Sequence, residues 1–276
     1  MTRHGFVSSY KYQLRRIILP PIISVAAAVA VMLLMVGFIN YSFEGKFTFE
    51  NGGIFCLDAL AAFMFFLYGC IYIPEFMNTG AANGTSRTTT LIASMASFFT
   101  SSAICSAAVS VISPLVNLIC GDRSSDVFLL ELFYGEKRFY RFYGENAFVV
   151  RIRFFVMITF LCFLCAAVGM AFSSIYYRLP RKGTIIFSII LVVIFFFGYP
   201  FTNIMLEKQG IDFDEVLNKF FDGVGRLMGM AHVNGSMAGN CVQGAFMMFI
   251  FAAVCGVIAW LFVRRASVKP APIRGE

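Results

Sequence analysis

Long apolar runs separated by short polar segments dominate the chain. Six runs reach the roughly 20 residues that a helix needs to cross a bilayer. They cover residues 17–39, 54–76, 91–119, 148–177, 184–205 and 241–263. Lipid offers the backbone no hydrogen-bond partner, whereas a helix satisfies its own backbone groups. The pattern therefore predicts an all-α integral membrane protein, with six transmembrane helices within residues 17–265 and a cytoplasmic tail over 266–276.

The segment before the first run is basic and amphipathic. Residues 1–16 carry four Lys or Arg residues and no acid. Phe6, Tyr10 and Leu14 recur at helical spacing, with the charges off that stripe. We therefore expect an N-terminal helix that lies in the membrane interface, ahead of the first span.

A second amphipathic segment lies between the fifth and sixth runs. Asp212 and Glu215 match a capping box, in which two side chains satisfy the first backbone N–H groups of a helix. The apolar stripe that follows includes Phe213, Phe220 and Phe221. This pattern predicts an interfacial or re-entrant helix at the outer face.

Composition and charge agree with this picture. Hydrophobic residues make up 59% of the 276, and charged residues make up 13%, about half the usual share of roughly 25%. Twelve of the 22 Lys and Arg residues fall on one predicted side, where only Glu75 and Glu276 are acidic. Because short cytoplasmic loops are rich in Lys and Arg, both termini are predicted to be inside.

One basic cluster opposes that orientation, because it falls on the predicted outer side. It consists of Lys137, Arg138, Arg141, Arg151 and Arg153. Aromatic residues interleave with Lys137, Arg138 and Arg141 across residues 120–147, a pattern that also occurs in nucleic-acid-binding segments. Beside a membrane, the same pattern favours an interfacial aromatic belt, so no nucleic-acid partner is expected.

The third run is unusually rich in small residues. Thirteen of the 29 residues in 91–119 are Ala, Ser or Thr. Small residues let helices approach closely in lipid, so this helix is expected to pack against protein on most sides. The wall of a polar conduit is the alternative.

Motifs for catalysis are missing from the sequence. It contains no G-x-x-x-x-G-K-[ST], no H-E-x-x-H and no G-x-S-x-G. Cys162 and Cys165 form a C-x-x-C within an apolar run, without a nearby His. We therefore predict no enzyme activity for the chain itself, and no metal site. A disulfide among Cys56, Cys120 and Cys241, near the predicted outer helix ends, is left open.

Three charged residues are candidates for a pathway or a gate. Apart from Glu75 at the inner end of the second run, Asp58 is the one acid within a predicted span, and intramembrane acids are by default functional candidates. Its predicted place is one turn from water, which its side chain could reach. Arg151 and Arg153 at the start of the fourth run are headgroup anchors or substrate contacts.

The polar segment from Asn78 to Thr90 is predicted to be the inner loop between the second and third spans. Its residues 83–88 read N-G-T-S-R-T, which looks like the N-G-x-[ST]-R-[KT] turn of many small bacterial permeases. Residues 176–183 are similar to the turn between spans four and five of those proteins. Together with the predicted architecture, these motifs make the chain resemble the permease subunit of type-2 ABC exporters.

This resemblance implies a half-transporter in a bacterial cytoplasmic membrane. Two permeases, identical or different, would pair on separate ABC ATPase subunits, which bind ATP and Mg and hydrolyse the ATP. The ATPase would engage a coupling helix formed by Asn83, Gly84, Thr85, Ser86 and Arg87, and Glu75 would take part in the coupling. A peptide, an antibiotic or another amphipathic molecule would be exported. A secondary transporter or channel-like protein that uses Asp58 is the alternative.

Overall fold

The computed structural model describes residues 3–42, 57–120, 147–180, 182–191, 193, 219, 222–229 and 241–264. Every regular element in this part of the chain is a helix. The helices are α1 (Arg3–Ser42), α2 (Leu57–Ala82), α3 (Arg87–Cys120), α4 (Ala147–Arg178), α5 (Lys182–Leu191) and α6 (Cys241–Arg264). All except α5 are long and apolar enough to cross a membrane. An all-helical, multi-pass membrane architecture is thus confirmed.

Four of the six predicted spans match α2, α3, α4 and α6. The fifth predicted span, 184–205, is described mainly by α5, which ends at Leu191. Phe213, Phe220 and Phe221 lie outside the described residues, as do 121–146 and 265–276. Of the predicted outer amphipathic helix, residues 222–227 are helical. Gln243 at the start of α6 donates hydrogen bonds to the carbonyls of Arg226 and Leu227.

Helix α1 differs from the prediction, because it runs unbroken for 40 residues, about 60 Å. The predicted division between an interface helix over 1–16 and a span over 17–39 is absent. Gln13, Ile17, Pro21 and Val25 form one buried stripe at four-residue spacing. The stripes of the basic segment and of the span are in phase, so one continuous helix packs both against the bundle.

Proline does not break α1, although it lies in the helix interior. Pro21 has no N–H, so the carbonyl of Ile17, four residues earlier, lacks its usual helical donor. Ser101 of α3 donates its hydroxyl to that carbonyl at 3.3 Å. A side chain from a neighbouring helix thus replaces the missing backbone bond.

The same arrangement occurs in α2. Pro74 lies inside this helix and deprives the carbonyl of Cys70 of its helical donor. The hydroxyl of Ser173 in α4 donates to the Cys70 carbonyl at 2.7 Å. Two helices therefore pass through proline with a serine from another helix at the vacated carbonyl.

Helix α4 is the centre of the bundle and packs against α2, α3 and α6. It runs parallel to α2, and the two backbones meet at Gly69 and Gly169. A Cβ at Gly169 would overlap the Phe66 carbonyl and lie 3.2 Å from the Cα of Gly69, whereas a Cβ at Gly69 would overlap the Ala166 carbonyl. Only glycine fits this crossing, which also brings Ser173 within reach of Cys70.

The small residues of α3 lie mainly on one face. Its fully buried hydroxyls are Ser94, Ser97, Ser101, Ser102 and Ser106, while Ile92, Phe99, Ile104 and Val111 on other faces are exposed. Within this chain α3 is thus buried on one face and open on others, and α4 is the more enclosed helix. Many of the α3 hydroxyls donate to helix carbonyls, as Ser94 does to Thr90. Such bonds indicate helix packing rather than the wall of a conduit.

One end of the bundle is basic. The start of α1, the end of α2 and the start of α3 meet there with the ends of α4 and α6. Its cations are Lys11, Arg15, Arg16, Arg87, Arg178, Lys182 and Arg264. We call it the basic end. It contains the described segments that were predicted to be inside, and its assignment to the cytoplasm stays a prediction.

Candidate functional site

The turn between α2 and α3 is short and fully specified by helix capping. Helix α2 continues to Ala82 and ends in a Schellman motif, in which the chain turns through a left-handed glycine. Gly84, with φ of 67°, donates its N–H to the Ala81 carbonyl at 3.1 Å. Thr85 donates both its N–H, at 2.9 Å, and its hydroxyl, at 2.7 Å, to the carbonyl of Gly80.

The next residue begins α3. Ser86 is its N-cap, because the Ser86 hydroxyl accepts the N–H of Thr89 at 3.2 Å and the Ser86 carbonyl accepts the N–H of Thr90 at 2.9 Å. The hydroxyls of Ser86 and Thr89 lie 2.7 Å apart. A C-cap and an N-cap therefore follow each other directly, and no flexible residue separates the two spans.

This geometry corrects two expectations about the segment from Asn78 to Thr90. Only residues 83–86 are outside helices, since 78–82 belong to α2 and 87–90 belong to α3. No separate coupling helix forms over 83–87. The predicted residues remain together, with Asn83 and Ser86 exposed and Arg87 half-buried at the first position of α3.

Glu75 lies on α2 about two turns before this turn. Its carboxylate is 3.8 Å from the guanidinium of Arg16 in α1, with both side chains well exposed. Tyr12 of α1 packs edge-on against Phe76 beside this pair. Glu75 therefore faces α1, rather than sharing a surface with the residues of the turn.

A polar cavity of about 400 Å³ lies beside the turn, between α1 and the end of α2. It is lined by Gly5, Ser8, Ser9, Tyr12, Gln13, Phe76, Thr79, Gly80, Asn83 and Thr85. Gln13 is 1% exposed and donates to the Thr90 carbonyl at 3.3 Å and to the Ser9 hydroxyl at 3.1 Å. Its Oε1 has no hydrogen-bond partner among the described residues. Sequence motifs do not point to Gln13. Its position four residues before Ile17, on the same face of α1, would have indicated that it is buried.

The pathway candidates lie at the opposite end of the bundle. Asp58, in the first turn of α2, is 3% exposed, and one of its carboxylate oxygens accepts the N–H of Ala59 at 2.9 Å. The expectation that its side chain reaches water was wrong, because Asp58 lies inside the helix bundle. Arg151 and Arg153 are half-buried near the start of α4.

The described cysteines are free thiols. Cys162 is buried in the core, Cys165 is half-buried, and Cys70, Cys105 and Cys255 are also unpaired. The described helices contain no group of three or more His, Cys, Asp or Glu residues positioned to hold a metal ion. The side chains of Cys56, Cys120 and Cys241 lie outside the described set.

The turn, the adjoining polar cavity and the buried Asp58 are thus the three functional candidates that the structure places. Comparison of the chain with protein-family models, curated proteins and solved structures found no match.

Proposed function

We propose that this chain is the permease subunit of an ABC exporter, and that a separate ATPase drives it by binding the turn at residues 83–87. The observation that carries the proposal is the rigid joint between α2 and α3. Two caps fix the joint on both sides, so a displacement of the turn moves the ends of two long apolar helices together.

Packing around the turn supports such transmission. A Cβ at Gly80 would lie 2.5 Å from the Thr90 hydroxyl, so the last turn of α2 and the first turn of α3 touch directly. Pro74, two turns before Ala82, removes one backbone bond from α2. The segment from Pro74 to the turn is therefore a short rigid arm that can tilt against the rest of α2.

The side chains that capping does not use would bind the partner. Asn83 and Arg87 are the polar residues of the turn whose side chains have no capping role. Arg87 offers a planar fork of donors, which suits a carboxylate in a groove of the ATPase. On this proposal, ATP and Mg bind only to the ATPase, and two permeases pair in a bacterial cytoplasmic membrane to export an amphipathic molecule such as a peptide or an antibiotic.

Charge reversal at the turn tests the proposal. The chain is co-expressed with the P-loop ATPases of its own genome, and the purified complex is assayed for ATP hydrolysis. Arg87→Glu should abolish co-purification while leaving the amount of chain in the membrane unchanged. Lys182→Glu, the matched control at the basic end, should retain the complex. A stable Arg87→Glu complex, or the absence of any ATPase from the wild-type preparation, would overturn the proposal.

The sidedness of the turn can be tested separately. Asn83 is exposed, so Asn83→Cys in a cysteine-free background gives a thiol at the turn. A membrane-impermeant maleimide should label it only after the cells are opened. Labelling in intact cells would place the basic end outside, where no cytoplasmic ATPase could reach it.

The burial of Asp58 favours a second candidate, a secondary transporter in which this carboxylate takes up a proton or a cation. An ionisable residue inside a helix bundle is costly to keep and is typical of ion pathways. Asp58→Asn would then abolish gradient-driven flux in proteoliposomes that contain this chain alone. If the wild-type chain alone shows no such flux, this candidate fails.

A further inference from the structure

An apolar groove of about 560 Å³ runs between α3 and α6. Helix α3 contributes Thr88, Leu91, Ile92, Met95, Ala96 and Phe99, helix α4 contributes Phe163, and helix α6 contributes Phe249, Ala253, Gly256, Val257 and Trp260. Phe99 packs edge-on against Phe163 at 5.3 Å between ring centroids. The groove is therefore walled by two helices and includes an aromatic side chain of the central helix.

Two contacts join the walls of the groove. A Cβ at Gly256 would lie 2.6 Å from the Met95 sulfur, so the lack of a side chain at Gly256 makes room for Met95. Near the basic end, the indole N–H of Trp260 donates to the hydroxyl of Thr88 at 3.3 Å. The indole N–H and the Thr88 hydroxyl bond each other at this end, which leaves the ring face as apolar lining.

The length of the groove matches one leaflet. From Phe249 to Trp260 the helix rises about 16 Å, and half of a typical hydrocarbon core is roughly 15 Å. An extended acyl chain could therefore lie along α6 from the basic end to the middle of the bilayer.

Cationic groups stand at the basic end of the groove. The guanidinium of Arg264 lies over the Trp260 ring, 5.1 Å from its centroid, one turn beyond the groove. Arg87 precedes the groove residue Thr88 and begins α3, so the positive end of that helix dipole lies there too. An apolar channel that ends at a guanidinium group beside a helix N-terminus is complementary to an acyl chain joined to an anionic headgroup.

We infer that the groove binds one acyl chain of an anionic phospholipid, from the leaflet at the basic end, with its headgroup at Arg264. A second copy of the chain would need no anion at this position. In a zwitterionic lipid the choline cation offsets the phosphate charge, whereas an anionic headgroup adds a net counter-charge for Arg264. The inference does not depend on the proposed function, because the lipid would enter the groove between α3 and α6 from the bilayer and would bind without an ATPase.

Trp260 reports directly on this groove, because it is the single tryptophan in the chain. The purified protein is reconstituted in unlabelled phosphatidylcholine with increasing amounts of phospholipid that is brominated at acyl carbons 6 and 7. Quenching of the Trp260 fluorescence is then measured. Brominated phosphatidylglycerol should reach half-quenching at a mole fraction about fivefold lower than brominated phosphatidylcholine, from the attraction expected for one basic residue.

Charge variants locate the headgroup. Arg264→Gln should remove most of the preference for phosphatidylglycerol, whereas Arg264→Lys should retain it. Arg178→Gln is the matched control, because Arg178 lies at the same end of the bundle over the ring of Phe262, which does not line the groove. Each variant is normalised to its own fluorescence without brominated lipid, since Arg264 contacts the indole.

Filling the groove tests the acyl chain independently of charge. Ala253 lines the groove and Val254 beside it does not, and both are exposed. Ala253→Phe should reduce quenching by either brominated lipid, whereas Val254→Phe should not. Equal quenching of the wild-type protein by brominated phosphatidylglycerol and brominated phosphatidylcholine would overturn the inference. Unchanged quenching in Ala253→Phe would also overturn it. If neither brominated lipid quenches the fluorescence of Trp260, the inference is overturned as well, because protein would then cover the groove.

Discussion

Replacing Ser173 with alanine is expected to destabilise the folded bundle by about 1.5 kcal/mol, a large effect for the loss of one hydroxyl. The reason is Pro74, which removes the backbone donor of the Cys70 carbonyl. The Ser173 hydroxyl takes its place at 2.7 Å. Ser173 is 5% exposed, so its hydroxyl makes this bond inside the bundle.

The magnitude follows from two ranges. A buried polar group left without a partner costs about 1–3 kcal/mol in soluble proteins. Hydrogen bonds between membrane helices average about 0.6 kcal/mol and reach about 1.7. The bond at Cys70 belongs near the top of the membrane range, because it is short and the carbonyl has no helical donor. A cost of about 1.5 kcal/mol corresponds to roughly a tenfold change in the unfolding equilibrium.

A double-mutant cycle separates this cause from simple loss of packing. Pro74→Ala restores an N–H that can bond the Cys70 carbonyl, so Ser173→Ala in that background should cost at most about 0.5 kcal/mol. Ser174→Ala is the matched control. The Ser174 hydroxyl is also buried and donates at 2.7 Å, but the carbonyl of Met170 that accepts it keeps its own helical donor.

The free energy of unfolding is measured in bicelles by steric trapping or in mixed micelles by titration with dodecyl sulfate. Ser173→Ala in the natural sequence is expected to lower the free energy of unfolding most. Ser173→Ala in the Pro74→Ala background should lower it much less, and so should Ser174→Ala alone. If Ser173→Ala costs the same in both backgrounds, the serine does not replace the backbone donor that proline removes, and the reasoning fails.

Four further changes can be measured by the same unfolding assay. Gly169→Ala should cost about 1–3 kcal/mol, because its Cβ would meet the backbone of α2, whereas Gly223→Ala, with open space around it, should cost nothing. Ser86→Ala should cost about 1 kcal/mol by removing the N-cap of α3, and a neutral result would mean that the turn is not held by that cap. Gln13→Leu should change stability by less than about 1 kcal/mol, because it removes the unpartnered Oε1 while keeping the volume, and a larger loss would show that the amide is well satisfied. Arg16→Gln should leave the unfolding midpoint unchanged, since the Arg16–Glu75 pair is long and exposed, and a measurable loss would contradict that view.

The sequence carried enough information to predict the spans that match α2, α3, α4 and α6, because apolar runs of this length have few alternatives to membrane helices. It also predicted a turn between the second and third spans, but the polar composition made that turn look longer than it is. Asn, Gly, Thr and Ser suggested a long loop over 78–90. The cap rules point instead to Gly84 as the residue after α2 and Ser86 as the residue before α3. The threonines at 88–90 belong to α3, where the Thr90 hydroxyl donates to the Ser86 carbonyl.

Other features could not be predicted from the neighbouring sequence alone, because each depends on a residue far away in the chain. Prolines are typical of the first turn of a helix, yet Pro20 and Pro21 lie in the interior of α1, which continues through them with the help of Ser101. Asp58 looked close to water from its place in the apolar run. Its burial depends on neighbouring helices, whose positions only the folded bundle reveals.

The bonds around Pro74 also suggest how motion of the turn would spread under the proposed function. The arm from Pro74 to Ala82 lacks one backbone bond at its base, so it is held by contacts with α4. Ser173 binds the Cys70 carbonyl at that base, and the Tyr177 hydroxyl donates to the Asn78 side chain at 2.9 Å near the tip. Both residues belong to the most enclosed helix, which packs against α2, α3 and α6. A force on the turn would therefore reach the centre of the bundle through two hydrogen bonds, and weakening them should uncouple the ATPase from transport before it unfolds the chain.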